Sequence, residues 1–268
     1  MRATFALCIL CLAALSPAAG RAAASVLLEE LTWTDVRDAL RAGTTTVIIP
    51  VGGTEQNGPH MALGKHNVRV KALAGQVAAA LGDALVAPVL AYVPEGAITP
   101  PSGHMRFPGT ISISEAAFKG VLEGAARSLK QAGFTQVVLI GDHGGYQSLL
   151  EAVAARLNRD WSATPARAHF IADYYRATQA PYLDALRAQG FKEAQIGTHA
   201  GLADTSLALA VEPGLVRTDR LAAAHEAGPA NGVAGDPRVS SAALGRLGVE
   251  LIVARTTAAI RNARGAAR

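Results

Sequence analysis

Apolar residues along the chain follow two periods. Runs of β-branched and aliphatic residues at 45–51, 85–93, 135–140 and 166–172 read as buried strands, the second interrupted by Pro88 and so suited to an edge. Between them the spacing turns helical. Leu31, Val36, Ala39 and Leu40 place a helix over 29–42, with Thr32 or Thr34 as N-cap and Gly43 as stop. Val70, Leu73, Val77 and Leu81 place one over 67–81, ending at Gly82. Ser114 caps a helix that carries Phe118, Val121, Leu122, Ala125 and Leu129 to Gly133. Further helices are expected at 147–159, 182–189, from Ser206 to Pro213, and over 240–264. Strand and helix alternate, and the strands look covered on both faces. The expected fold is therefore α/β, three layers α/β/α around a mostly parallel central sheet.

The polar residues interrupt this pattern at particular places. Glycine-rich polar loops follow the strands at 45–51 and 135–140, where open parallel sheets gather ligand groups. The segment 94–110 is too rich in Pro and Gly for regular structure and too long for a plain connection. Loops at 196–205 and 228–238 add more glycine and polar groups.

Composition changes the picture mainly at the N-terminus. The chain has 268 residues and is half apolar, enough for a sizeable core. Residues 1–24 have another layout: Met1-Arg2, an apolar run over 3–15, Ser16-Pro17, then small residues. That is the layout of a secretory signal peptide, with 25–268 as a single mature domain. Its cleavage removes Cys8 and Cys11, both of the chain's cysteines, so the mature chain has no disulfide and no thiolate chemistry. It also removes Arg2 and Arg21 and no acid, so the net charge falls from +4 to +2. No dense Lys/Arg run remains to suggest nucleic acid, and no segment to hold the mature chain stably on a membrane.

Glu55, His60, His66, His143, His199 and Asp204 lie in three glycine-rich loops, a pool of imidazole and carboxylate groups suited to zinc and related divalent ions. Their spacing fixes no two ligands on one element, so satisfied structural histidines are the competing reading. A G-x-G-x-x-G turn, a P-loop lysine and a G-x-S-x-G elbow are all missing. The chemistry that remains is hydrolysis by metal-activated water. His60 is expected to orient its loop; His104 and Arg106 are candidates to meet a substrate carboxylate, with a simply solvated arginine as the competing reading, and Asp142 is a candidate cap for the following helix. His169 and His225 are expected to be structural or surface groups, and Trp33 and Trp161 to pack.

Four blocks together resemble the creatininase (creatinine amidohydrolase) family: P-V-G-x-T-E-Q-x-G-P-H at 50–60, F-P-G-T at 107–110, H-G-G at 143–145 and H-A-G-x-x-x-T-S at 199–206. G-D-P at 235–237 adds a fifth. The resemblance implies a metal-dependent amidohydrolase of α/β/α fold, often hexameric, with Glu55 and His143 as metal ligands and His199 as the proton-transferring histidine. It also marks departures. His66 stands where the family usually has an aspartate bridging two metals, and Asn57 where many members have a histidine ligand of the second. Gly145 stands where creatininase itself has a glutamate, as in the H-G-G branch, in which Asp204 can supply a carboxylate as ligand or base. A neutral imidazole offers one lone pair to one cation and cannot bridge as a carboxylate does.

The expectation is one divalent ion per chain, zinc with manganese or iron as alternatives, held by Glu55, His66, His143 and Asp204. Catalysis then falls to His199 and Asp204, and the substrate is a small, cyclic or open, amide. The protein is expected to be exported, to the periplasm where there is one, as a homo-oligomer that is hexameric by resemblance. The rival reading is a non-catalytic exported metal- or small-ligand-binding protein on the same fold.

Overall fold

A computed structural model describes residues 25–266; the signal-peptide assignment and both cysteines lie outside the described residues. Helix α1 (Trp33–Arg41) opens the fold, its first turn closed by a capping box between Thr32 and Asp35, a device worth about 1 kcal/mol. Then follow β1 (Thr46–Val51), α2 (Lys65–Leu81), β2 (Ala84–Val86), α3 (Glu115–Ala132), β3 (Gln136–Gly141), α4 (Gln147–Asp160) and β4 (Arg167–Phe170). The rest is helical: α5 (Asp173–Gln179), α6 (Pro181–Ala188), α7 (Glu193–Ile196), α8 (Leu202–Val211), α9 (Leu221–Ala227) and α10 (Ala242–Ala266).

The sheet has the order β2-β1-β3-β4 and every pairing is parallel. Alternate side chains of each strand enter different cores. Val47, Ile49, Val51, Val137 and Leu139 pack with Phe118, Leu122, Leu150 and Leu157 of α3 and α4. Ile48, Val138 and Ile140 pack on the other face with Val70, Leu73 and Val77 of α2, Tyr174 of α5 and Ile252 of α10. Two apolar layers on one sheet give the expected α/β/α architecture. Among the described residues no helix is long and apolar enough to cross a membrane.

Some boundaries differ from the sequence reading. The strand expected over 85–93 pairs only at Ala84–Val86, because Pro88 has no N–H for a ladder; beyond it only bridges remain, Val51 with Leu90 and Val93 with Ser112. Helix α2 begins at Lys65 and α8 at Leu202, earlier than expected, which moves Lys65, His66 and Asp204 from loops into first helical turns. Helices α5 and α9, of seven residues each, were not expected, being too short to show a repeating stripe. Trp161 is buried as expected, but Trp33 is 75% exposed, with the Arg37 guanidinium over its ring, and does not pack.

Candidate metal centre

The chain leaves β1 for β2 on one side and later adds β3 on the other. The carboxyl ends of β1 and β3 therefore lie side by side where the winding reverses, with Val51 in register with Gly141. Glu55 follows the first end and Asp142-His143 the second. Tyr146 joins the two loops: its buried hydroxyl donates to the carbonyls of Val51 and Gly52 and accepts from the N–H groups of Asp142 and His143. The F-P-G-T block braces the same place, since Thr110 accepts from the Gln56 N–H and the Ile111 N–H donates to the Thr54 carbonyl. Gly53 has φ +151°, and a Cβ on it would lie 2.6 Å from Glu95 Oε1.

The site is centred on the fully buried Glu55 carboxylate, surrounded by four imidazoles. His66 Nε2 is 2.8 Å from Oε1; His104 Nε2 and His143 Nε2 are 3.2 and 3.4 Å from Oε2; His199 Nδ1 is 3.8 Å from Oε1. Burial raises the Glu55 carboxyl, but the His66 bond and the charges of His66 and Lys65 outweigh it and hold it well below the usual range. Burial lowers His143 and His199 to about 4, so both rings are neutral at pH 7, as a ligand or a base requires.

Glu55 Oε2 is buried and has no hydrogen-bond partner despite its two close imidazoles. Ligand atoms of Glu55, His104 and His143 lie within 4.8 Å of one another. Two imidazoles and a carboxylate around an unsatisfied oxygen are the donor set of a hydrolytic zinc site with an open position. The residues therefore fit a divalent ion.

This grouping differs from the expected ligand set. Glu55 and His143 come together as expected. His104, placed at the substrate by its loop position, replaces His66 and Asp204 in the group; the 3-10 turn Gly103–Arg106 brings it over Glu55. His66 is drawn to Asp142, with Nδ1 2.6 Å from Oδ2, so both its ring nitrogens are engaged. Asp204 Oδ2 accepts from Lys65 Nζ and the Ala200 N–H, and Oδ1 from Arg69, all at 3.0 Å. Lys65 and Arg69 hold it well below the usual carboxylate range against the effect of burial. Asp142 does not cap the next helix; Arg69 and Tyr174 donate to it, and it lies inside the cluster. His60 behaves as expected, its Nε2 3.0 Å from Thr205 Oγ1, joining its loop to α8.

His199 is positioned by backbone. Ala200 has φ +54°, the left-handed region that a non-glycine residue rarely adopts, and its N–H is held by Asp204. Backbone bonds in both directions join His199 to Ala234. Beside this ladder the G-D-P glycine packs so tightly that a Cβ on Gly235 would lie 2.7 Å from Gly201 Cα. His199 Nε2 donates to the Gln56 carbonyl at 3.0 Å, which turns Nδ1 toward Glu55. The Gln56 side chain accepts from the Gly58 N–H and donates to His104 Nδ1 at 2.9 Å.

Sequence reading missed Lys65, Arg69 and Glu95. Glu95 is buried, and burial together with the adjacent Glu55 carboxylate pushes it up to about 9, so it is neutral at pH 7. The cavity beside these groups has a volume of about 260 Å³ and is lined by Lys65, His104, His143, Tyr175, Gln179 and His199.

The chain is similar to several known proteins. The chain is 31% identical over 231 residues to the mycofactocin precursor peptide peptidase of Mycolicibacterium smegmatis, covering 77% of this chain and 81% of that protein. A creatininase structure described with Mn superposes with a TM-score of 0.73 at 29% identity, over 90% of this chain and 99% of the other. A creatininase variant described as of the Zn–Zn type gives 0.73 at 27% identity, over 90% and 98%. The creatininase family profile, described as creatinine amidohydrolase, matches residues 29–260, and the chain belongs to that family.

Proposed function

We propose that the protein is a metal-dependent hydrolase that opens a C–N amide bond of a small molecule, with one divalent ion, zinc by its donor set, held by Glu55, His104 and His143. The observation that carries this is the buried Glu55 Oε2, without a hydrogen bond, between the imidazoles of His104 and His143, the latter kept neutral at pH 7 by burial. A divalent ion there supplies Lewis-acid polarisation of a carbonyl and acidification of a water molecule.

The other roles belong to side chains. The Gln56 carboxamide, 2.9 Å from His104 Nδ1, would orient the His104 ring so that Nε2 is left to the ion. His199, neutral at pH 7 and anchored through Nε2, takes a proton from the attacking water at Nδ1. As the new C–O bond forms and the C–N bond breaks, the same atom returns that proton to the departing nitrogen. Asp204 serves this step indirectly, by holding Ala200 and so the aim of His199. The cavity, about 260 Å³, favours a compact substrate. The rest of the proposal is an exported homo-oligomer, which light scattering on the purified mature chain tests.

Turnover of cyclic amides, formamides and short peptides by zinc-loaded protein, compared with chelated protein, tests the reading. Metal-dependent hydrolysis of at least one small amide is expected. Bound metal with no hydrolysis across the set would favour the binding-protein reading instead.

A further inference from the structure

Lys65 is 1% exposed, and a lysine at that depth needs anionic partners. Its Nζ donates to Asp204 Oδ2 at 3.0 Å and lies 3.9 Å from Glu55 Oε1. That Glu55 oxygen is the one turned away from the candidate ion position between His104 and His143. Beside it stand His66 Nε2 at 2.8 Å and His199 Nδ1 at 3.8 Å. Two carboxylate oxygens with two imidazole nitrogens beside them form a donor set that suits a second divalent ion. Here they already face a cation, which the chain carries on its own side chain.

The position of Lys65 is fixed from both ends. It is the first residue of α2, so its stem enters the site from a helix anchored on the core by Val70, Leu73 and Val77. Arg69, one turn on, donates to Asp142 and Asp204 and leaves the ammonium to Glu55 and the second Asp204 oxygen. Asn57, in the same loop as Glu55, is fixed by its nitrogen, which donates to the carbonyls of Glu55 and Ala62.

We propose that the Lys65 ammonium is a built-in cation that occupies the place of a second divalent ion, so that the centre holds one metal, and that removing it opens a second metal site between Glu55 and Asp204. A divalent ion placed beside the ammonium would be repelled by a like charge at close range in a poorly solvated site. The inference rests on the one-ion reading above and adds the residue that enforces it.

The test is metal content. Wild-type protein, Lys65→Met and Lys65→Arg are loaded with zinc, dialysed, and their metal counted by mass spectrometry, with circular dichroism to confirm folding. One ion per chain is expected in wild type, two in Lys65→Met and one in Lys65→Arg, which keeps the charge. If the methionine variant does not fold, Lys65→Gln takes its place with the same expectation. A folded neutral variant that still holds one ion overturns the role of Lys65, as do two ions in wild type. Wild type that holds none overturns the metal reading itself, and this inference with it.

Discussion

On one side of the cavity, Asp142 and Asp204 share Arg69 and Lys65, and each carboxylate has at least one cation within 3.0 Å. On the other side, Glu55 Oε2 faces the rings of His104 and His143 with no hydrogen bond. Both regions are built from buried acids, yet the first is electrically closed and the second has donors to spare. A closed cluster holds its elements in place, as Asp142 and Asp204 do for β3, α2 and the His199 loop. A cluster with a surplus of electron pairs calls for a cation from outside.

The contrast is sharpened most by removing a donor from the open side. His143→Ala should keep its fold and lose several kcal/mol of transition-state stabilisation, about 10⁴-fold or more in kcat/KM, along with bound metal. Unchanged turnover would break the comparison. His199→Ala should lower kcat by about 10²–10⁴-fold while zinc content stays at the wild-type level, separating proton transfer from ligation.

On the closed side the effect should appear in stability. Arg69→Leu strands Asp142 and Asp204 without a guanidinium and should cost about 3–5 kcal/mol in urea unfolding. A loss below 1 kcal/mol would show that the cluster is not load-sharing in this way. Gln56→Leu removes the partner of His104 Nδ1 and should weaken zinc affinity by about 10–100-fold in competition titrations, leaving stability nearly unchanged.

A last expected effect is with pH, in metal-free protein. His60, His143 and His199 are lowered by burial from 6.5 to about 4. Below pH 6.5 the unfolded chain gains protons that the folded chain refuses, so their stabilisation, complete above 6.5, is lost as pH falls toward 4. Glu95 works in the opposite sense, raised from 4.5 to about 9; the folded chain keeps a proton that the unfolded chain releases, so stability declines as pH rises from 4.5 toward 9. The urea midpoint should therefore peak near pH 6.5, and Glu95→Gln should flatten the alkaline side. A midpoint independent of pH between 4 and 9 would contradict both assignments.

The fold was legible where one period ran long enough to be read. Strands β1 and β3 are continuous apolar runs, and α2, α3, α4 and α10 carry stripes over three turns or more, so their places and the sheet type followed from pattern alone. Glu55, His143 and His199 were legible because each lies in a glycine-rich block after an element end. His104 was harder to assign, because its approach to Glu55 depends on how 94–110 folds back, through Thr110 to Gln56 and Ile111 to Thr54. Lys65 and Arg69 belong to no sequence motif, and only the tertiary fold brings them onto Asp142 and Asp204. Asp204 looked like a ligand or base by motif; its contacts with Lys65, Arg69 and the Ala200 N–H depend on the tertiary fold.

The most direct measurement is an anomalous-difference map at the zinc edge from crystals of zinc-loaded wild-type protein. One peak per chain should lie about 2.0–2.2 Å from oxygen and nitrogen ligands of Glu55, His104 and His143. A peak coordinated by His66 and Asp204 in place of His104, or no peak within reach of Glu55, would contradict the assignment of the open side as the metal centre.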